Sequence, residues 1–236
     1  ALRLIHFPNN LNDLEKAQKR LRFEELFFIQ LQLLQKKLEH RKQFRGHLFV
    51  KVGDLFNTFY NDHMPFSLTK AQKRVIKEIR SDFGSGAQMN RLLQGDVGSG
   101  KTIVAFLSAL IAFDNQMQTT IVAPTEILAQ QHFHTLSEVA QPLGITIKLL
   151  TVSTKAAERK VIHSQLQSGE LQLLVGTHAV LEPSVLFKNL GFAIIDEQHR
   201  FGVAQRAKLW KKNHIPPHIL VMTATPIPRT LAMTLY

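Results

Sequence analysis

The chain has 236 residues, 44% of them hydrophobic, and no cysteine; it can bury the core of one large domain or two small ones, but holds neither a disulfide framework nor a thiolate metal site. Its longest apolar stretch, Ile103 to Phe113 interrupted by Ser108, is too short to span a bilayer, and the N-terminus lacks the order of a signal peptide, so no membrane role and a cytoplasmic location are expected. The count of 29 Lys and Arg against 18 Asp and Glu gives a net charge of +11, a surplus that draws a protein to phosphate backbones, although a solvated basic face gives the same count.

Two zones follow one another along the chain. The first runs from Ala1 to His63. From Asp13 to Phe44 it has neither glycine nor proline and sets Leu14, Ala17, Leu21, Leu31, Leu34 and Leu38 near helical spacing, which predicts one long amphipathic helix with Asn10 or Asn12 as its cap and Gly46 at its end. The cluster Leu26-Phe27-Phe28-Ile29 is apolar over more than one face, so packing on both sides is expected. A shorter helix is predicted over Asp54–Tyr60.

From Pro65 onward, short apolar or β-branched runs (Thr119–Ala123, Ile145–Leu150, Leu171–Val175, Phe192–Ile195, Ile219–Met222) alternate with helical stretches such as Glu126–Ala140 and Lys155–Gln167. That alternation predicts an α/β fold, a mostly parallel central sheet flanked by helices and preceded by the helical leader. Ligands on such sheets sit at the carboxyl ends of the strands.

Four motifs fall at those ends. In Gly95-x-x-x-x-Gly100-Lys101-Thr102 the glycines let backbone N–H groups curl around phosphate oxygens while a helix beginning at Lys101 turns its positive end toward them. Lys101 then neutralises phosphates and Thr102 holds Mg²⁺. In Ile194-Ile195-Asp196-Glu197-Gln198-His199 a buried strand delivers one carboxylate to the metal, Asp196, and a second to the attacking water, Glu197. Past the last apolar run, the hydroxyls of Thr223-Ala224-Thr225 can hydrogen-bond to that acidic loop; an ordinary polar turn is the alternative. Upstream, Thr69-Lys70-Ala71-Gln72 reads either as a capping box or as a glutamine whose amide pairs with adenine, and spacing does not separate the two. His132, His134, His178 and His199 are scattered over different loops or helices, without the companions of a zinc site.

Taken in order, "FSLTKAQ", "LLQGDVGSGKT", "APTEILAQQH", "VGTHAV", "IIDEQHRFGVAQR" and "MTATPIPRTLA" resemble the first motor lobe of a superfamily 2 helicase, of the RecG branch-migration family, over essentially all of 66–236. "LRLIHFP" and "RLRFEELFFIQLQL" resemble the segment that joins that family's DNA-splitting wedge domain to its motor. The resemblance implies a RecA-like P-loop NTPase lobe over 64–236 and a helical linker over 1–63. It implies ATP and Mg²⁺ as cofactors, held by Gln72, Gly95, Asp96, Val97, Gly98, Ser99, Gly100, Lys101 and Thr102 with Asp196, and hydrolysis by Lys101, Asp196, Glu197, Gln198 and His199. Pro124, Thr125, Glu126, Gly176, Thr177 and His178 match positions that grip the DNA backbone, and Thr223, Ala224 and Thr225 match the motif that links hydrolysis to DNA movement, through His199.

The implied activity is ATP-dependent helicase action on branched DNA, such as stalled forks and Holliday junctions, in recombination and repair, by a monomeric bacterial protein associated with the nucleoid. The implied partners are that DNA and, within a longer parent chain, a second helicase lobe and a wedge domain. No second phosphate-facing arginine motif occurs before Tyr236, so weak turnover by this stretch alone is expected. Two alternatives stand beside this reading: a lobe of a transcription-repair coupling translocase, whose acidic loop usually runs Asp-Glu-Glu-Gln, and a non-catalytic nucleotide-binding interaction module.

Overall fold

The first of two units into which the chain divides is helical. In the computed structural model, residues 1–43, 45–197, 209, 212, 213 and 215–225 are described, the side chains of 36, 37 and 40–43 excepted. Helix α1 spans Leu2–His6 and packs on α2, Leu11–Gln43. The long helix is built from strong helix formers, Leu, Gln, Glu, Lys and Arg, with an Arg20–Glu24 ion pair one turn apart. Asn10 is its cap: the Asn10 Oδ1 accepts from the Asp13 N–H at 2.8 Å, and the Asp13 carboxylate accepts from the Asn10 side-chain amide at 3.2 Å. The packing expected around residues 26–29 is not found among the described residues. Leu26, Phe27, Phe28 and Ile29 are all about half exposed, and Phe27 is stacked on Phe23 of its own helix, centroids 5.7 Å apart.

The second unit holds the sheet and takes in residues 45–63. The reason is long-range bonding of residues 45–63. Gly46 does not cap α2; its N–H donates to the Gly86 carbonyl, and its α-carbon lies so close to Ala87 and Gln88 that a side chain would not fit. Phe49 and Phe59 are buried in the core, Phe49 against Phe83 and Phe59 edge-on to Phe106. A short helix α3, Asp54–Thr58, is followed by a π-helical turn, Phe59–His63.

Six strands then form one parallel sheet: β1 (Asn90–Gln94), β2 (Gln118–Val122), β3 (Ile147–Leu150), β4 (Leu173–Gly176), β5 (Leu190–Asp196) and β6 (His218–Thr223). Their order across the sheet is β1-β6-β5-β2-β4-β3. Strands β2, β5 and β6 are buried along their whole length, as apolar runs covered on both faces must be. Helix α4 (Lys70–Phe83) precedes β1, α5 (Lys101–Asp114) joins β1 to β2, α6 (Glu126–Ala140) joins β2 to β3, and α7 (Ala156–Ser168) joins β3 to β4. Helix α5 is apolar all round and accordingly buried from Ile103 to Phe113. No described helix is long and apolar enough to cross a membrane.

This order divides the carboxyl edge of the sheet in two. The β1-β6-β5 half carries Gly95, Thr223 and Asp196; the β2-β4-β3 half carries Pro124, Thr177 and the loop after Leu150.

Candidate nucleotide site

The loop from Gly95 to Gly100 closes β1 and opens α5. Its first N–H, that of Gly95, donates to the Thr223 carbonyl, so the loop is pinned to the end of β6. Gly100 takes a left-handed conformation, φ 79°, and the space a β-carbon would fill there lies 2.4 Å from the Gln72 Nε2. The left-handed backbone is what favours glycine at this position, since the Gln72 amide is the far end of a flexible side chain. The Lys101 Nζ turns back into the loop and donates to the carbonyls of Gly95, at 2.7 Å, and Asp96, at 2.8 Å. With the α5 amino terminus behind it, this loop has the backbone donors and the ammonium of a phosphate cradle.

Of the two readings of Gln72, the capping box is the one seen in the structure. The capping box is present: the Thr69 Oγ1 accepts from the Gln72 N–H, and the Gln72 Oε1 accepts from the Thr69 N–H at 2.8 Å. The other end of the amide, Nε2, donates to the Ser99 carbonyl at 2.9 Å. The cap therefore delivers the glutamine onto the phosphate loop.

Asp196 ends β5 and is nearly buried, 9% exposed. The His132 Nε2–H donates to its Oδ2 at 2.7 Å. The next residue, Glu197, takes a left-handed turn, φ 50°, that lets its N–H donate to the Met222 carbonyl and swings its carboxylate onto the end of β6. There the Thr223 Oγ1 donates to Oε2 at 3.2 Å and the Ala224 N–H to Oε1 at 3.0 Å, while Thr225 and Thr223 share a hydroxyl contact of 2.9 Å. The polar-turn alternative for Thr223-Ala224-Thr225 is thereby replaced by a clasp on Glu197. Gln198 and His199 lie outside the described residues.

In the other half, the Thr125 Oγ1 caps α6, accepting from the Leu128 N–H. The Glu126 carboxylate accepts from the Ser153 N–H and Oγ, so it buttresses the loop after β3. Gly176 ends β4 against Leu150. Thr177 is 2% exposed and its Oγ1 has no hydrogen-bond partner among the described residues, whereas His178 is exposed and opens a short 3₁₀ turn to Leu181.

The donor set fits a hard cation held jointly with phosphate. Thr102 and Asp196 offer one hydroxyl and one carboxylate from separate elements, and no group of three or more His, Cys, Asp or Glu suited to a metal occurs among the described residues. Mg²⁺ characteristically takes one or two protein oxygens and completes its shell with water and substrate phosphates.

His132, set aside in the sequence with the other scattered histidines, lies against Asp196. It lies three residues after Ala129 and four before Leu136, both fully buried, and so shares the sheet-facing side of α6. That spacing was the available signal.

The DEAD/DEAH box helicase family matches residues 69–234. The chain belongs to this family. Among DEAD/DEAH box helicases it is similar to ATP-dependent DNA helicase RecG of Synechocystis sp., 50% identical over 100% of this chain and 28% of that protein. RecG of Streptococcus pneumoniae is 46% identical over 100% of this chain and 35% of that protein. A solved structure of RecG bound to a three-way DNA junction superposes with a TM-score of 0.84 at 42% identity, covering 99% of this chain and 31% of that one. The helicase MrfA bound to DNA and AMPPNP, TM-score 0.60 at 19% identity over 81% of this chain and 29% of that one, shares the fold alone. The sheet is thus the RecA-like helicase lobe that the motifs implied, and the chain spans about a third of the length of the curated relatives it matches.

Proposed function

We propose that this chain is the ATP-binding lobe, with its leading linker, of an ATP-dependent DNA helicase of the RecG type that works on branched DNA in recombination and repair. The observation that carries the reading is the Lys101 ammonium seated inside the loop at the end of β1, beside strand ends that bear Thr223 and Asp196. Lys101 and the loop amides bind the ATP phosphates; Thr102 and Asp196 hold Mg²⁺, which when bound neutralises charge on the phosphate oxygens. Glu197 orients the attacking water and takes its proton, and Thr223 with Ala224 holds that carboxylate until the site is loaded. Gln72 contributes to the nucleotide side of the loop.

DNA runs along the β2-β4-β3 half, where Pro124, Thr125, Gly176, Thr177 and His178 cluster by strand order. Glu126 acts there through the Ser153 loop, since a carboxylate does not attract a phosphate. Contacts to the DNA backbone position a strand without reading its sequence. The wedge domain and second lobe of a longer parent protein supply junction binding and the remaining catalytic groups, and residues 1–63 join the wedge to this lobe.

The test is equilibrium binding of a fluorescent ATP analogue and of a forked DNA by this chain and by Lys101→Ala. Removing charge-assisted hydrogen bonds weakens nucleotide binding by about 10- to 100-fold. DNA affinity is expected to fall steeply with added salt. Equal nucleotide affinity in both proteins, or salt-independent DNA binding, overturns the reading.

A further inference from the structure

A carboxylate as enclosed as that of Asp196 requires partners, and the partner in place comes from the opposite half of the sheet edge. His132 belongs to α6, the helix that follows β2, and β2 is the immediate neighbour of β5. The two side chains are 13% and 12% exposed, and their 2.7 Å hydrogen bond runs from Nε2 to one carboxylate oxygen, Oδ2. His132 is not free to swing away. Ala129, Leu136 and Ala140 seat the same face of α6 in the core, Thr125 caps its first turn, and Glu126 ties that turn to the Ser153 loop.

We propose that His132 is a positioning residue for the metal: by holding Oδ2 it fixes the rotation of the Asp196 carboxylate and leaves Oδ1 to the cation. The inference rests on the reading of Asp196 as a metal ligand. A carboxylate with one oxygen anchored meets a cation without first losing rotational freedom, which is the general reason that groups hydrogen-bonded to metal ligands affect metal affinity. A purely structural His132 would serve as a spacer between α6 and the sheet; its loss would lower stability and leave metal dependence unchanged.

The experiment titrates Mg²⁺ into this chain at a fixed concentration of a fluorescent ATP analogue and reads the half-saturating Mg²⁺. It compares the unmodified chain with His132→Ala, His132→Gln, His132→Asn, Asp196→Asn and Lys101→Ala, with binding in chelator and urea unfolding measured on each. The Gln side chain carries an N–H donor near the reach of the imidazole Nε2, whereas Asn is too short. His132→Ala and His132→Asn are expected to raise the half-saturating Mg²⁺ by about 10- to 100-fold. Affinity in chelator should stay within about twofold, and His132→Gln should return to within about threefold of the unmodified chain.

The proposal fails if Ala and Asn leave the Mg²⁺ dependence where it was, or if Gln behaves like Ala at equal stability. Should His132→Ala not fold, the Gln and Asn pair carries the same decision. If the unmodified chain binds no nucleotide, or Asp196→Asn keeps full Mg²⁺ dependence, the functional reading is what has failed.

Discussion

The Thr223 hydroxyl donates to the Glu197 carboxylate at 3.2 Å, joining the ends of the adjacent strands β6 and β5. Thr223 is fully buried, and the same carboxylate is met by the Ala224 N–H, so the loop after β5 is held by the loop after β6. Replacing Thr223 by Val keeps the volume and removes the donor. The expected cost is about 1–2 kcal/mol, because a partly buried carboxylate loses a charge-assisted bond. Urea unfolding measures it, and an unchanged midpoint would show that this contact contributes nothing to the resting lobe.

Acid should weaken the fold through His218. This residue is fully buried, its Nδ1 accepts from the Met89 N–H at 2.9 Å, and its Nε2–H donates to the His47 carbonyl at 2.7 Å, an arrangement that only the neutral ring can satisfy. Burial pushes its pKa down to about 4 from 6.5, against a smaller upward pull from the His47 carbonyl bond. Between those values the unfolded chain takes up a proton that the native chain refuses. Stability from this group is therefore complete above pH 6.5 and is lost as the pH falls toward 4, by about 3 kcal/mol. His218→Asn retains an acceptor for Met89, and its urea midpoint should fall less steeply with pH than that of the unmodified chain. Parallel slopes would remove His218 as the cause.

The tie between residues 45–63 and the lobe is concentrated on Asp114. Its carboxylate accepts from the N–H groups of Gly53 at 2.8 Å, Leu55 at 3.1 Å and Phe56 at 3.2 Å, a cap supplied to α3 from the far end of α5. Asp114→Ala leaves three donors without their acceptor at a helix start and should cost about 2–4 kcal/mol. Amide hydrogen exchange over 53–58 should accelerate selectively. Uniform acceleration across the sheet would instead mean that the segment is integral to the global fold.

Gly176 tolerates no side chain. A β-carbon there would stand 2.1 Å from the Leu150 carbonyl oxygen and 2.7 Å from Val180, and the first of these is backbone in the neighbouring strand. Gly176→Ala should destabilise by about 3 kcal/mol or more and lower the melting temperature on the order of 10 °C. A calorimetric scan close to that of the unmodified chain would mean that β3 and β4 part without cost.

Local chemistry was read well from sequence and distant chemistry was not. Glu126–Ala140 was read to the residue because its cap, Thr125, is adjacent in the chain. Strand limits shifted by a few residues, as at β3, because a strand ends where its neighbour stops offering partners. The bonds that hold residues 45–63 come from Asp114 and Asn115, about 60 residues away, and no local pattern records that. Among the motifs, the phosphate loop and acidic pair were legible as patterns of residue type. His132 was not: a single histidine on a helix means little until the strand order sets its helix beside β5.

The hydrogen bonds of Lys101 bear on which anions the proposed phosphate loop would accept. Its ammonium is already engaged by the Gly95 and Asp96 carbonyls, so a ligand enters by exchange of partners rather than by filling an empty charge. An anion with a single weak oxygen offers the lysine less than it gives up. A polyphosphate, with several charged oxygens and the loop amides to meet them, offers more. On the proposed reading of this loop as a phosphate site, the lysine's own hydrogen bonds set a threshold against the small anions that crowd any cell.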